Sequence, residues 1–294
     1  MKMLIFKPLF LLLYVAMILV SCQEKYEMKE APIESDIAFE VKSLGNNQFQ
    51  FINKTTGIIA YWKFHNGQEA SGDNALIYIP FAGDYQGTVT LYGNGGSIEK
   101  AIAYNVGNDD PALCNNTTFQ LLAGGCELGK KTWRWNPNVD GFYKVLNPDN
   151  PAEVWYSAPA NGQDAELFND SLVFSMNGRY DLIDQGVTVI NWSWYDEITG
   201  LGDKPQYNDS PGSTVAYRAK LGNDFAWTVN TVEGKQYIEI SNGGWMSFFN
   251  GQSKYEIVKL TEDELVVRSI YRSASNPLSI NEVNGHEFMF IKQK

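Results

Sequence analysis

Histidine and cysteine are scarce, 2 and 3 in a chain of 294 residues. His65 and His286 lie far apart with no cysteine cluster near either, so the sequence offers no ligand set for zinc or another metal. Phosphate-cradling glycine loops, nucleophile elbows and EF-type calcium loops are absent too, and no motif calls for a cofactor. Basic residues are outnumbered 23 to 34 and form no run, which excludes the electrostatic footprint of a nucleic-acid binder. Neutral ligands remain open. No apolar stretch reaches the roughly 20 residues that span a bilayer; Leu9 to Val20 is shorter.

What is present starts with that stretch. Leu9 to Val20 follows Lys2 and Lys7, the layout of a secretory signal, and ends at Leu19-Val20-Ser21-Cys22. Those four residues resemble the bacterial lipobox, in which the cysteine is acylated and becomes the mature N-terminus. The resemblance implies removal of residues 1–21, lipidation at Cys22 with palmitate-type chains, and a stable membrane anchor worth about 0.8 kcal/mol per buried methylene. An ordinary cleaved signal with an incidental cysteine is the alternative. Departure of Lys2 and Lys7 takes the formal charge from −11 to −13. Residues 22–36 are charged and aperiodic, a flexible tether, and their acidic residues favour display at the surface of the outer membrane.

The rest reads as all-β, since 26 glycines, few charges and 14% aromatic residues point to short strands between many turns. Around Gly45-Asn46-Asn47, Phe39 and Val41 alternate as do Phe49 and Phe51, which predicts a hairpin; Val89, Leu91, Ile98 and Ile102 predict another about Gly93 to Gly96. An aperiodic Gly/Asp/Pro stretch near residues 107–113 marks a boundary between units at 37–107 and 113–294. In the second unit Asn177-Gly178 sits between alternating runs, and further strands follow at hairpin spacing, enough for a barrel or a sandwich. Cys114 and Cys126, outside the reducing cytosol, are expected to be bridged; two buried thiols are the alternative.

Two resemblances refine this. "YWKFHNGQ" at 61–68 with "YIPFAGDYQGTVTLYG" at 78–93 is similar to the PKD immunoglobulin-like domain, with Asn66 where that pattern has Asp and His65 where it has Gly. The match implies a β-sandwich over residues 37–107 with Trp62 in its core. "YEIVKLTEDELVVRSI" at 255–270 resembles the last hairpin of bacterial lipocalin-like (calycin) domains. Together with "KTWRWN" and "ELFNDSLVFSMNGRYDL", the order of units is similar to Bacteroidota surface lipoproteins associated with polysaccharide utilisation. The resemblance implies capture of oligo- or polysaccharide for uptake or degradation, with an outer-membrane transporter complex as a partner. Trp155-Tyr156 and Phe168-Asn169-Asp170 depart from those relatives' Trp-Trp and Tyr-Asp-Asp, so their ligand contacts do not transfer.

Stretches 147–170 and 195–214 lack strand periodicity and are read as long loops. The first carries Trp155, Tyr156 and Phe168; the second adjoins Trp194 and Tyr195 and includes Tyr207. Loops gathered at a barrel mouth are a common place for ligands, and aromatic rings there stack on the apolar faces of sugar rings, so these six are the candidate ligand-binding residues. Trp133, Trp135, Trp192, Trp194 and Trp227 also fit a role as barrel filling. A surface glycoside hydrolase is the second reading, with an acid pair drawn from Asp164, Glu166, Asp170, Asp196 and Glu197; no catalytic phrase accompanies these residues. A non-catalytic structural or assembly lipoprotein is the third.

Overall fold

The computed structural model describes residues 32–65, 68–163, 165–191, 214–217, 225–272 and 283–294. Cys22 with the signal and most of the tether, Asn66, Asp164, Trp192, Trp194, Tyr195, Asp196, Glu197 and Tyr207 lie outside the described residues.

The N-terminal lobe is two antiparallel sheets facing each other. β1 (Phe39–Gly45), β2 (Gln48–Asn53) and β5 (Asn74–Tyr78) form one, in the order β1-β2-β5. β3 (Ile59–Phe64), β4 (Glu69–Ser71), β6 (Gly83–Gly93) and β7 (Gly96–Val106) form the other, in the order β4-β3-β6-β7. The β1–β2 turn is made by Asn46 and Asn47 at φ 49° and 55°, a left-handed pair that asparagine tolerates and that matches strand twist. Alternation then does the rest: Ala60, Trp62 and Phe64 point inward from β3, as Phe49 and Phe51 do from β2. Trp62 is fully buried, 5.8 Å from Phe51, and its indole N–H donates to the Gly72 carbonyl at 2.9 Å. It is the core residue that its strand position implied.

The stretch after β7 is bound down rather than loose. Tyr78 donates to Asp110 at 2.6 Å, the Ala82 N–H to Asp109 at 2.7 Å, and Asn47 to the Asn108 carbonyl at 2.9 Å. A short helical cap follows, α1 (Thr117–Ala123) and α2 (Gly125–Leu128). The Asn116 side chain accepts from the Thr118 and Phe119 N–H groups, two of the donors a helix start leaves orphaned, and Gly124 at φ 80° ends α1. A disulfide joins Cys114 to Cys126 across this cap.

Eight strands then close a barrel in chain order: β8 (Lys130–Trp135), β11 (Ser171–Ser175), β12 (Arg179–Ile183), β15 (Phe225–Val232), β16 (Lys235–Ile240), β18 (Lys254–Leu260), β19 (Glu264–Arg272) and β20 (Val283–Lys292). Each pairs antiparallel with the next, and β20 returns to β8 through Phe290↔Trp135 and Lys292↔Trp133. Closure leaves this ring without a sheet edge. β9 (Tyr143–Leu146) continues along the same side of β20 beyond β8, through Gly285↔Leu146 and Phe288↔Tyr143, and β10 (Val154–Ser157) folds back on it. Asn136-Pro137 stands at the break between β8 and β9, and proline has no N–H to give the ladder. β13 (Thr188–Asn191), β14 (Thr214–Tyr217) and β17 (Phe248–Phe249) make a separate small sheet.

The barrel is packed solid. Trp133, Trp135, Tyr143, Phe174, Tyr180, Trp227, Tyr255, Phe288 and Phe290 are all buried in one cluster. Val189, Trp245, Met246 and Phe248 belong to the same cluster and stopper the end where β12, β16 and β20 have their long connections. The described connections at this end therefore pack inward, while Trp194, Tyr195 and Tyr207, expected at the mouth, lie outside the described residues. The stretch 147–170 is not a plain loop, since it contains β10 and a 3₁₀ turn at Ala165–Asn169. Finally, Phe81 of the N-terminal lobe joins the barrel's cluster, with ring centroids 5.9 Å from Phe119 and 6.0 Å from Trp227.

Candidate functional site

Trp155 is the large aromatic that the described surface leaves most open, at 51% exposure. It stands on β10 at a bulge: Val154 pairs with Leu146 and Tyr156 with Val145, so Trp155 is the extra residue. A bulge re-aims a side chain away from the ladder. The ring is nevertheless held. Its indole N–H donates to Glu153 at 3.0 Å, and Asn147 donates to the other oxygen of that carboxylate at 2.9 Å. The same Asn147 accepts from the Asp149 and Asn150 N–H groups through its side chain, and its own N–H reaches the Glu153 carbonyl at 2.9 Å. The hydrogen bonds from Asn147 and then Trp155 hold the Glu153 carboxyl below its ordinary value, so it is ionised and accepts from both at neutral pH.

The hairpin carrying Trp155 is fastened to the barrel by charge. Lys144 on β9 meets Glu287 on β20 at 2.7 Å, and Arg268 on β19 meets the other Glu287 oxygen at 2.7 Å. Burial alone would raise the Glu287 carboxyl, but the two cationic donors outweigh it and keep it below the usual range. A buried carboxylate with two charge-assisted partners is a firmer fixture than an exposed ion pair.

The other candidates are placed differently. Tyr156, next along the strand, turns to the opposite side and packs against the core, 6.2 Å from Tyr143 with its hydroxyl 3.4 Å from Gln163. Phe168 packs against Phe142 at 5.5 Å. Neither shares the open face of Trp155, so these residues do not form one platform. Asp170, a member of the possible acid pair, is 1% exposed and bonded to Ser247, out of reach of any polymer.

Asp170 belongs to a buried polar cluster that no sequence pattern announced. Ser247 donates to Asp170 and accepts from the Trp135 indole N–H at 2.7 Å, while the second Asp170 oxygen is buried without a partner among the described residues. Burial raises this carboxyl to about 8; the Ser247 bond opposes that and the Asp184 charge adds to it. Nearby on β20, His286 is fully buried, with Asn250 2.8 Å from its Nδ1 and bonded in turn to Ser269. Burial lowers it to about 3, which keeps the ring neutral. Asp170, Ser247, Asn250 and His286 are all buried. Among the described residues, no set of three potential ligands gathers to hold a metal.

No family model matches the chain, and no curated protein does. Among solved structures, the PKD1 domain of Epp from Vibrio anguillarum aligns at 22% identity over 27% of this chain and 96% of that one, with a TM-score of 0.24. A double mutant of the vaccine antigen transferrin-binding protein B from Haemophilus parasuis aligns at 11% identity over 84% of this chain, with a TM-score of 0.22. The chain spans about half the length of that second protein, 51%.

Proposed function

We propose that this chain is a lipid-anchored surface protein that binds neutral glycans without hydrolysing them, holding oligo- or polysaccharide for a partner transporter or hydrolase. The observation that carries the reading is Trp155: a half-exposed indole, set on a bulge and fixed by Glu153 and Asn147 before any ligand arrives. An aromatic face presented this way covers the C–H face of a sugar ring, and because its rotamer is already restrained, little side-chain freedom is lost on binding. The negative net charge favours neutral sugars over acidic ones. Burial of Asp170 removes one acid from the hydrolase reading. The lipobox-like junction at Cys22 supports the anchor, and with it attachment to the outer membrane.

The test is affinity electrophoresis of the mature protein through gels containing neutral polysaccharides, with Trp155→Ala alongside. Loss of one stacking ring should weaken binding about thirtyfold, on the order of 2 kcal/mol, with the melting temperature nearly unchanged because the ring is outside the core cluster. Equal retention of variant and unaltered protein, or release of reducing sugar from the gel polysaccharide, would overturn the reading.

A further inference from the structure

A groove of about 960 Å³ runs between the two lobes, well apart in sequence from Trp155. One wall is the outer side of β3 and β6, with Lys63, Gln86 and Thr88; the other is the barrel from the end of β16 to the start of β18, with Asn242, Gln252 and Ser253. Neutral polar side chains stand on both walls, beside Phe64, Ala101 and Ile240. The side chains of Gln86, Thr88, Gln252 and Ser253 make no hydrogen bond within the described residues, so two amides and two hydroxyls face the groove with their donors and acceptors unspent. Glycines at 243 and 251, at φ 71° and 72°, leave bare main chain on the barrel side.

Charge at the groove cancels. Lys254 is paired with Glu239 at 2.7 Å, and Lys63 faces Glu69 at 4.0 Å, so two cations and two anions sit in matched couples inside a chain whose formal charge is −11. An ionic ligand gains nothing there. A primary amide places a donor beside an acceptor, which is the complement of two neighbouring hydroxyls on one ring, and a cavity near the upper end of the usual ligand range of about 300–1,000 Å³ takes more than one such ring.

We infer that this groove is a binding site in its own right for a neutral polyhydroxylated chain, a short run of an oligosaccharide, gripped by Gln86 and Thr88 from one lobe and Gln252 and Ser253 from the other. The site goes beyond the Trp155 platform and does not depend on it. Because both lobes contribute, ligand in the groove fastens one to the other, and saturation should raise the melting temperature of the pair together.

The experiment uses the mature protein in detergent with dextran, laminarin, galactomannan and arabinoxylan as probes, read by affinity electrophoresis and calorimetry. The double variant Gln86→Ala/Gln252→Ala should bind at least tenfold more weakly than the unaltered protein while melting at the same temperature. Thr88→Trp, which fills the groove rather than emptying it, should do the same. Binding lost in these variants but kept in Trp155→Ala supports the groove and removes the platform. Binding kept in both groove variants but lost in Trp155→Ala overturns the groove and leaves the platform. Failure of the unaltered protein to bind any of the four overturns both.

Discussion

Phe81→Ala removes a ring that belongs to the N-terminal lobe by sequence and to the barrel by packing. The side chain is 5% exposed and meets Phe119 and Trp227 edge-on at 5.9 and 6.0 Å. A Cβ on Gly178 would stand 2.5 Å from the ring, so the barrel's β11–β12 turn has been kept bare to admit it. Burial of a phenylalanine contributes about 2–3 kcal/mol, each edge-to-face contact about 0.5–1.5, and the cavity left behind adds to both. The measured range for such truncations, about 3–5 kcal/mol, is therefore the expected loss. Seven of the eight tryptophans lie in the second unit, so intrinsic fluorescence in a urea titration follows the barrel. The barrel's midpoint should fall although the changed residue is outside it, and hydrogen exchange over residues 225–232 should quicken. Phe51→Ala, a substitution inside the sandwich core, is the control and should act first on the N-terminal lobe. If Phe81→Ala leaves the fluorescence midpoint where it was, the ring is not part of the barrel's core and the coupling of the lobes is wrong.

Three further outcomes are expected. The Asp170 carboxyl, raised by burial to about 8, binds its proton in the folded chain over a range where the unfolded chain has lost it, a contribution that declines from about pH 4 to pH 8 by no more than about 1.4 kcal/mol per unit; His286, kept neutral down to about 3, opposes it with a rise up to the ordinary histidine value of 6.5, so the net decline should appear between about pH 6.5 and 8, where Asp170→Asn should flatten it and an unchanged slope in chemical denaturation would refute it. Cys114→Ser/Cys126→Ser opens the loop across the helical cap and should cost roughly 3 kcal/mol on the chain-entropy account, read as a lower urea midpoint that reductant no longer shifts. Cys22→Ser should leave the protein unprocessed or in soluble fractions, and full membrane retention of the processed variant would remove the lipid anchor.

Short-range features were legible. The hairpins about Asn46-Asn47, Gly93 to Gly96 and Asn177-Gly178 lie where their turn residues predicted, because a two- to four-residue turn is a local matter of φ and strand twist. Barrel filling, the reading that alternation offered for Trp133, Trp135 and Trp227, is where these three stand, and Trp62 is buried as the PKD-like pattern implied. Closure of β20 on β8 was not legible, since the pairing joins the two ends of the unit and no local pattern encodes it. Stretch 147–170 was read as loop because β10 is only four residues long and its bulge breaks the alternation that marks a strand. At the candidate site, sequence read Trp155 as a loop residue outside any strand period, whereas it stands at the bulge of β10. Sequence could not separate Trp155 from Tyr156, whose neighbouring positions face opposite ways. Nor could it find Asp170 and Ser247, which meet across 77 residues.

The ring of eight strands is closed by one short pairing, Phe290 to Lys292 against Trp133 to Trp135. Without β20, the strands β8 and β19 would each turn a row of unpaired N–H and carbonyl groups outward, two sticky margins facing each other across a gap. Deletion of β20 should therefore yield aggregate rather than a slightly smaller barrel.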